Sequence, residues 1–178
     1  RDAIPRGSVV TADGGGLRIW MNDAFRADAA DRYVQPGSWA TMGTALPSAI
    51  GAAVADPDRP IVAMVGDGGL MMSLHELHTV VAESLPVTTL VANNTGYAII
   101  SESGHREHGL PSDTYDWDGA PIDFTALAQG LGIAATRVDS PDGVREALGA
   151  AIEADEPRLV EAMTAPHEPQ ALDWMTEA

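Results

Sequence analysis

Short apolar runs alternate with amphipathic stretches along the 178-residue chain. This alternation is typical of βα units, in which each strand is followed by a helix that packs back onto a parallel sheet. The run at residues 61–65 is continuously apolar, as expected of a strand covered on both faces. The predicted strands are residues 8–12, 33–35, 61–65, 87–92, a run ending at Val138, and 158–162. The pattern predicts an α/β fold with three layers, α/β/α, around a mainly parallel sheet of about six strands.

Amphipathic stretches between these strands predict the helices. Ser73, with Glu76 three residues later, resembles a capping box that opens one helix. Asp123 and Ser140 are predicted N-caps of two more, the second with a proline in its first turn. Further helices are predicted at residues 17–27 and 46–54.

The charge of the chain is strongly one-sided. Ten arginines and no lysine stand against 26 acidic residues, giving a formal net charge of −16. A negative field of this size repels nucleic-acid phosphates and anionic membranes, so we expect neither as a partner. The acidic excess favours adaptation to high salt, where charge repulsion is screened within about 3 Å. A GC-rich genome that replaces lysine with arginine is the alternative explanation.

The chain contains no cysteine, which excludes a disulfide scaffold, cysteine-based zinc sites and thiol catalysis. No apolar run approaches the roughly 18 residues of a membrane-spanning helix, and the N-terminus shows no signal-peptide pattern. We therefore predict a soluble, cytoplasmic protein. Because the chain begins at Arg1, we expect a fragment of a longer polypeptide or a processed chain. Residues 1–165 are predicted to form one domain, followed by a C-terminal tail over residues 166–178.

Glycine, aspartate and asparagine gather where three predicted strands end, at residues 13–16, 66–69 and 93–96. Parallel α/β sheets bind their ligands at the carboxyl ends of strands, so these segments form the candidate site. Glycines let backbone amides approach a phosphate, and a following helix adds partial positive charge. Asp67, however, would repel a bare phosphate unless a divalent cation lay between them.

Asp67 and Asn94 carry oxygens of the kind that Mg2+ prefers in proteins. The backbone oxygen of Gly96 is unobstructed because glycine has no side chain. With two diphosphate oxygens and a water molecule, these three groups would complete six ligands. On the residues alone, the alternative is a pair of ordinary turns rich in glycine and asparagine.

A two-part motif makes the metal and diphosphate interpretation more specific. Gly66-Asp67-Gly68 is separated by the 24 residues 69–92 from Asn93-Asn94. This motif resembles the signature of thiamine diphosphate (ThDP)-dependent enzymes and places the chain in their diphosphate-binding (PP) domain. The resemblance covers nearly the whole chain and is closest to the acetolactate synthase group, which shares a family with pyruvate decarboxylase and benzoylformate decarboxylase. Further similar segments are residues 43–52, 76–79 and 85–87.

The resemblance implies bound ThDP and Mg2+ and gives roles to individual residues. Asp67, Asn94 and the Gly96 carbonyl would hold the metal. Met42 matches the apolar residue that wedges between the two cofactor rings, and backbone groups of Ala40 and Met42 would bond the aminopyrimidine. Ordinary core packing is the alternative for Met42. The implied cofactor-binding residues are Gly16, Leu17, Ala40, Met42, Asp67, Gly68, Gly69, Asn94, Gly96 and Tyr97.

Two segments depart from the family pattern. Gly16 and Leu17 stand where acetolactate synthases carry Gln-His, whose side chains touch the diphosphate. The backbone amides of Gly16 and Leu17 are expected to substitute for them. Near the metal, Gly69 replaces a common serine and Ala98 a common glycine, and neither change removes a metal ligand.

Members of this family decarboxylate 2-oxo acids or join carbon–carbon bonds, with ThDP as the electron sink. Their catalytic glutamate lies in a separate Pyr domain, which faces the PP domain of the same or another subunit. The resemblance therefore implies the PP domain of a homodimeric or tetrameric enzyme for a small 2-oxo acid. Without the Pyr and middle domains it would be inactive and would contain no catalytic residue. Two alternatives remain: the PP subunit of a two-chain decarboxylase of the sulfopyruvate or phosphonopyruvate type, and a non-catalytic Mg2+–diphosphate-binding module.

Residues 103–121 combine glycine, proline, aspartate and aromatic residues without a period, which predicts a surface loop. His105 and His108 in this loop could touch a substrate carboxylate or transfer a proton, although exposure is the default for loop histidines. Tyr115 and Trp117 could close over a substrate or simply anchor the loop.

Two other signals are weak. His75 and His78 lie three residues apart on one predicted helix with no third ligand nearby, so we expect exposed helix residues there. Residues 14–16 suggest a dinucleotide-binding loop but lack its GxGxxG spacing.

Overall fold

The structure of this chain is a computed structural model that describes residues 1–165. The predicted tail at residues 166–178 lies outside the described residues. Within them, one sheet contains six strands: Val9–Ala12 (β1), Tyr33–Val34 (β2), Ile61–Gly66 (β3), Val87–Asn93 (β4), Ala134–Val138 (β5) and Arg158–Met163 (β6). All neighbouring strands are parallel, in the order β2-β1-β3-β4-β6-β5. The predicted six-stranded parallel sheet is confirmed.

Helices connect the strands. The α-helices in the described residues are Gly16–Ala24 (α1), Ala45–Ala55 (α2), Asp67–Ser73 (α3), Glu76–Ala82 (α4), Ala98–His108 (α5), Phe124–Gly130 (α6) and Pro141–Glu153 (α7). Asp123 caps α6 and Ser140 caps α7, each by accepting a hydrogen bond from a first-turn amide, so both predicted N-caps are confirmed. In residues 1–165, no helix is long and apolar enough to cross a lipid bilayer.

Both faces of the sheet are covered, because alternate residues of a strand point to opposite sides. Ala63 and Val65 of β3 belong to a buried cluster that includes residues of α2, α4 and α6. Val62 and Met64 belong to a second buried cluster with residues of α1 and α7. The predicted three-layer arrangement is therefore confirmed, and it leaves the strand ends free to form a site.

The predicted capping box is wrong. Ser73 ends α3, which already begins at Asp67, and α4 starts at Glu76 without a side-chain cap. The two glycines in the first turn of α3 are poor helix formers, so local propensity hides this helix. Burial of Leu70, which is 0% exposed, stabilises it instead.

The predicted loop is also wrong over residues 103–108, which belong to α5. This helix ends at Gly109, whose φ of +66° is left-handed, and the amides of Gly109 and Leu110 return to carbonyls of the last turn. Only Ser101 of α5 is buried, so the helix carries no clear apolar stripe to predict it by. Helix α1 ends at Ala24, earlier than predicted.

Candidate functional site

The carboxyl ends of β1, β3 and β4 open into a cavity of about 970 Å3. These strands are neighbours in the sheet, so the segments that follow them meet at one edge. The cavity wall includes every residue that the sequence predicted to bind a cofactor: Gly16, Leu17, Ala40, Met42, Asp67, Gly68, Gly69, Asn94, Gly96 and Tyr97. The structure thus brings the complete predicted set to one place.

Asp67, the first residue of α3, is a nearly buried acid on this wall, 4% exposed. Its Oδ1 accepts from the Gly68 amide at 2.8 Å, and its Oδ2 accepts from the Gly96 amide at 3.0 Å. Burial raises the pKa of the Asp67 carboxyl above its ordinary value of 3.8, and the amides of Gly96 and Gly68 offset only part of that rise. The carboxylate therefore sits where a bound cation would compensate for its lost hydration.

The side-chain amide of Asn94 faces the Asp67 carboxylate and the Gly96 carbonyl group. Its inward atom lies 3.2 Å from Asp67 Oδ2 and 2.9 Å from the Gly96 carbonyl oxygen. With the amide oxygen inward, three oxygens converge with no proton between them; with the nitrogen inward, Asn94 donates to both partners. Adjacent ligands of an octahedral Mg2+ lie about 3 Å apart, since each lies about 2.1 Å from the ion. The three groups therefore fit a magnesium ion.

Gly68, Met42 and Tyr97 pack closely beside Asp67. A Cβ atom on Gly68 would lie 2.5 Å from the Tyr97 ring and 3.1 Å from the Met42 methyl group, so only glycine fits. The segment that carries Met42 turns at Ala40, whose φ of +49° is left-handed. Met42 is half-buried on the cavity wall rather than enclosed in either apolar cluster. This position is compatible with the predicted wedge between two rings.

Asp13, which follows β1, lies in the predicted candidate segment 13–16, although no role was predicted for it. It is 0% exposed. Its Oδ2 accepts from the Gly43 amide at 2.8 Å, and its Oδ1 accepts from the Thr44 amide at 2.8 Å and the Thr44 hydroxyl at 3.1 Å. A Cβ on Gly69 would lie 2.0 Å from Asp13 Oδ2, which explains a glycine there. Asp13 thus ties the end of β1 to the segment after Met42; the only sequence signal is an acid directly behind a buried strand.

Arg18 is a site residue that the sequence did not single out. It lies in the first turn of α1, beside Gly16 and Leu17, and is the only Arg or Lys among the described residues that line the cavity. Its Nη1 donates to the Gly37 carbonyl at 2.5 Å, while its Nε is buried without a hydrogen-bond partner within residues 1–165. In a chain with ten arginines and 26 acids, a cation on this wall favours an anionic ligand.

The histidines and the tryptophan that the sequence analysis discussed lie at different places in the structure. The His75 side chain is 77% exposed. Residues 1–165 contain no group of three or more His, Cys, Asp or Glu residues that could hold a metal. His105 lines the cavity with Nδ1 2.7 Å from the Leu110 carbonyl oxygen. Trp117 packs edge-on against Tyr97, with ring centroids 5.2 Å apart, so it anchors its loop.

Comparison with known proteins supplies the family. Over residues 13–162, the chain matches the family model described as thiamine pyrophosphate enzyme, C-terminal TPP binding domain. It is 35% identical over 158 residues to a probable acetolactate synthase large subunit of Methanococcus aeolicus, covering 89% of this chain and 26% of that protein. It is 30% identical over 161 residues to acetolactate synthase of Bacillus subtilis, covering 90% and 28%.

A solved structure agrees. The thiamine diphosphate-dependent 4-hydroxybenzoylformate decarboxylase of Rhodococcus jostii RHA1 superposes with a TM-score of 0.82 at 27% identity, over 95% of this chain and 32% of that one. The fold and the cavity thus define an α/β domain that binds a cofactor at the carboxyl edge of a parallel sheet. The chain belongs to the thiamine pyrophosphate (ThDP) enzyme family, as its C-terminal TPP-binding domain. It spans about a quarter of the curated relatives it matches.

Proposed function

We propose that this domain binds ThDP through Mg2+ and serves an acetolactate synthase-like enzyme that decarboxylates a 2-oxo acid, joins carbon–carbon bonds, or does both. The observation that carries the proposal is that the Asp67 carboxylate, the Asn94 side-chain amide and the Gly96 carbonyl meet on the wall of a cavity large enough for a cofactor. The acetolactate synthase and decarboxylase relatives support the reaction class.

In this proposal the Asp67 carboxylate, the Asn94 amide oxygen and the Gly96 carbonyl would hold Mg2+, which would offset the negative charge of the cofactor's diphosphate. The amides of Gly16 and Leu17 begin α1 without a side-chain cap, so they are available to the diphosphate. Gly68, Gly69 and Tyr97 would line the cavity beside the metal, and Ala40 and Met42 would contact the cofactor's rings. When bound, ThDP supplies the electron sink for the carbanion that decarboxylation creates. The domain's own residues bind and orient the cofactor.

We further propose that a Pyr domain, of the same or another subunit of a homodimer or tetramer, covers this cavity and supplies the catalytic glutamate. Exposed apolar side chains near the site support this. Trp39 is 89% exposed beside Ala40, and Met72, 53% exposed, lies against Gly43. Large apolar side chains exposed next to a cavity are typical of a contact surface. The domain alone is expected to be inactive. The proposed substrate of the complete enzyme is a small 2-oxo acid.

The proposal predicts magnesium-dependent cofactor binding, measurable by isothermal titration calorimetry on the 178-residue chain. ThDP should bind at one site with Mg2+ present, and the affinity should fall by about 100-fold, or about 2.7 kcal/mol, when EDTA replaces the metal. The reason is that Asp67 repels a diphosphate that carries no cation. NAD serves as a control ligand and should not bind. Equal ThDP affinity with and without metal, or preference for NAD, would refute the proposed function.

A further inference from the structure

Glu161, in the middle of β6, is a wholly buried acid far along the chain from the proposed metal ligands. Its side chain is 0% exposed. Burying a carboxylate is unfavourable unless charge and hydrogen bonds compensate for its lost hydration, so such a residue needs a specific set of partners.

The partners of Glu161 come from three different elements, β4, α6 and β5. Oε2 accepts from the Thr125 amide at 3.0 Å, the Thr125 hydroxyl at 2.7 Å and Arg137 Nε at 3.0 Å. Oε1 accepts from Asn93 Nδ2 at 2.7 Å. Burial alone would raise the pKa of Glu161, but the hydrogen bonds from Thr125, Asn93 and Arg137 outweigh it and lower the pKa. Glu161 is therefore an ionised acceptor whose orientation is fixed.

Asn93 is the link from Glu161 to the candidate site. A carboxylate can only accept hydrogen bonds, so Glu161 forces the NH2 end of the Asn93 amide toward itself. The oxygen end must then face the opposite way, where Asn93 Oδ1 accepts from the Thr95 amide at 3.0 Å. The hydrogen bond between Glu161 and Asn93 thus fixes which end of the Asn93 amide faces the backbone of Thr95.

Thr95 needs that support because its backbone is strained. Its φ is +62°, a left-handed conformation that is unfavourable for a β-branched residue. The Thr95 carbonyl is held as well, since it accepts from the Trp117 amide at 2.7 Å. This single turn separates Asn94 from Gly96, so it sets where their two oxygens point.

We propose that Glu161 is a positioning residue for the metal site: through Asn93 it holds the left-handed turn at Thr95 that aims the oxygens of Asn94 and Gly96 at the same point as Asp67. The inference rests on the proposed function for the identity of the ion. In this proposal Glu161 controls metal affinity without contacting the metal. We call the chain of hydrogen bonds from Glu161 through Asn93 to Thr95 the relay.

Glu161→Gln tests the relay, because glutamine also presents donors and allows the Asn93 amide to turn over. We expect Mn2+ affinity in the presence of ThDP, measured by electron paramagnetic resonance, to fall by about tenfold or more, as for other groups that orient metal ligands. Hydrogen exchange of the Thr95 amide should become faster in the metal-free chain.

The matched control is Arg137→Met, which removes a partner of Glu161 but leaves the hydrogen bond between Glu161 and Asn93 in place. It should lower thermal stability and leave Mn2+ affinity within about twofold.

Adding Asn93→Asp to Glu161→Gln rebuilds the relay with its donors reversed. Glutamine at 161 can donate to the new carboxylate, whose other oxygen accepts from Thr95. We expect the double variant to recover slow Thr95 exchange, and Mn2+ affinity to within about threefold. Asn93→Asp alone sets two carboxylates against each other, so it should speed Thr95 exchange and lower Mn2+ affinity. Because the double variant keeps every hydrogen bond, it should fold even where Glu161→Gln alone does not.

The outcomes separate the two proposals. Loss in Glu161→Gln together with recovery in the double variant supports the relay, because a packing role for Glu161 predicts no such recovery. Unchanged Thr95 exchange and Mn2+ affinity in Glu161→Gln, or no recovery in the double variant, would overturn it. If the unsubstituted chain shows no metal-dependent ThDP binding, the proposed function fails, and Thr95 exchange still reports on the relay.

Discussion

Asp67→Asn is expected to abolish metal-dependent ThDP binding, with an affinity loss of at least about 100-fold at saturating Mg2+. Asp67 supplies the only charge among the three converging oxygens, and a neutral amide would present one oxygen in place of two. The metal-free fold should change by less than about 1 kcal/mol, because relief from burying a charge offsets the weakened acceptor for the Gly68 and Gly96 amides. Calorimetry and thermal unfolding in EDTA measure the two effects separately.

The matched control is Asp118→Asn, the same chemical change at an exposed residue that does not line the cavity. It removes the same unit of negative charge and should leave ThDP affinity unchanged within about twofold. If Asp67→Asn bound ThDP as tightly as the unsubstituted chain, the metal assignment would be wrong. Equal losses in both variants would instead indicate a general effect of charge.

Gly14→Ala should produce the largest loss of stability among single substitutions at the site, about 3 kcal/mol in the free energy of unfolding. An alanine Cβ at this position would lie 2.0 Å from the Ala40 carbonyl oxygen and 2.7 Å from its carbon. Both are backbone atoms, so the end of β1 and the segment around Ala40 must move apart. The hydrogen bond from the Gly14 amide to the Thr41 carbonyl, at 3.2 Å, is expected to break. Urea unfolding measures the change.

Gly51→Ala is the control for this substitution. Gly51 lies inside α2, and a Cβ there meets nothing within 4 Å. Alanine should therefore stabilise the chain by up to about 1 kcal/mol through its better helix propensity. The two glycine-to-alanine changes thus have opposite expected signs. A Gly14→Ala chain as stable as the unsubstituted one would show that the contact between Gly14 and Ala40 does not constrain the fold.

The sheet and the candidate site were accessible to sequence reasoning because both rest on local patterns. Residues 61–65 form a continuous apolar run that ends at Gly66, and a second run ends at Asn93. Once two such strands are parallel neighbours, their following residues must share one edge of the sheet. The convergence of Asp67 and Asn94 therefore follows from the pattern, while the roles of the individual binding residues stay predictions.

The features that sequence reasoning missed depend on tertiary contacts. Helix α3 contains two glycines and exists because Leu70 is buried against the core. The partners of Asp13 lie 30 or more residues along the chain, and Asn93 lies 68 residues from Glu161. The local pattern of apolar and polar residues does not indicate such distant pairs. A buried acid therefore cannot be distinguished from a surface acid in the sequence. Arg18 was missed because its place on the cavity wall depends on how α1 is oriented.

The most direct test of the account is a crystal structure of this chain with ThDP and Mn2+ in place of Mg2+, with the metal located by its anomalous signal. We expect one metal within about 2.5 Å of Asp67, Asn94 Oδ1 and the Gly96 carbonyl oxygen, with the remaining ligands from the diphosphate and water. A metal bound elsewhere, or a diphosphate bound while Asp67 and Asn94 make no contact with any ion, would contradict it.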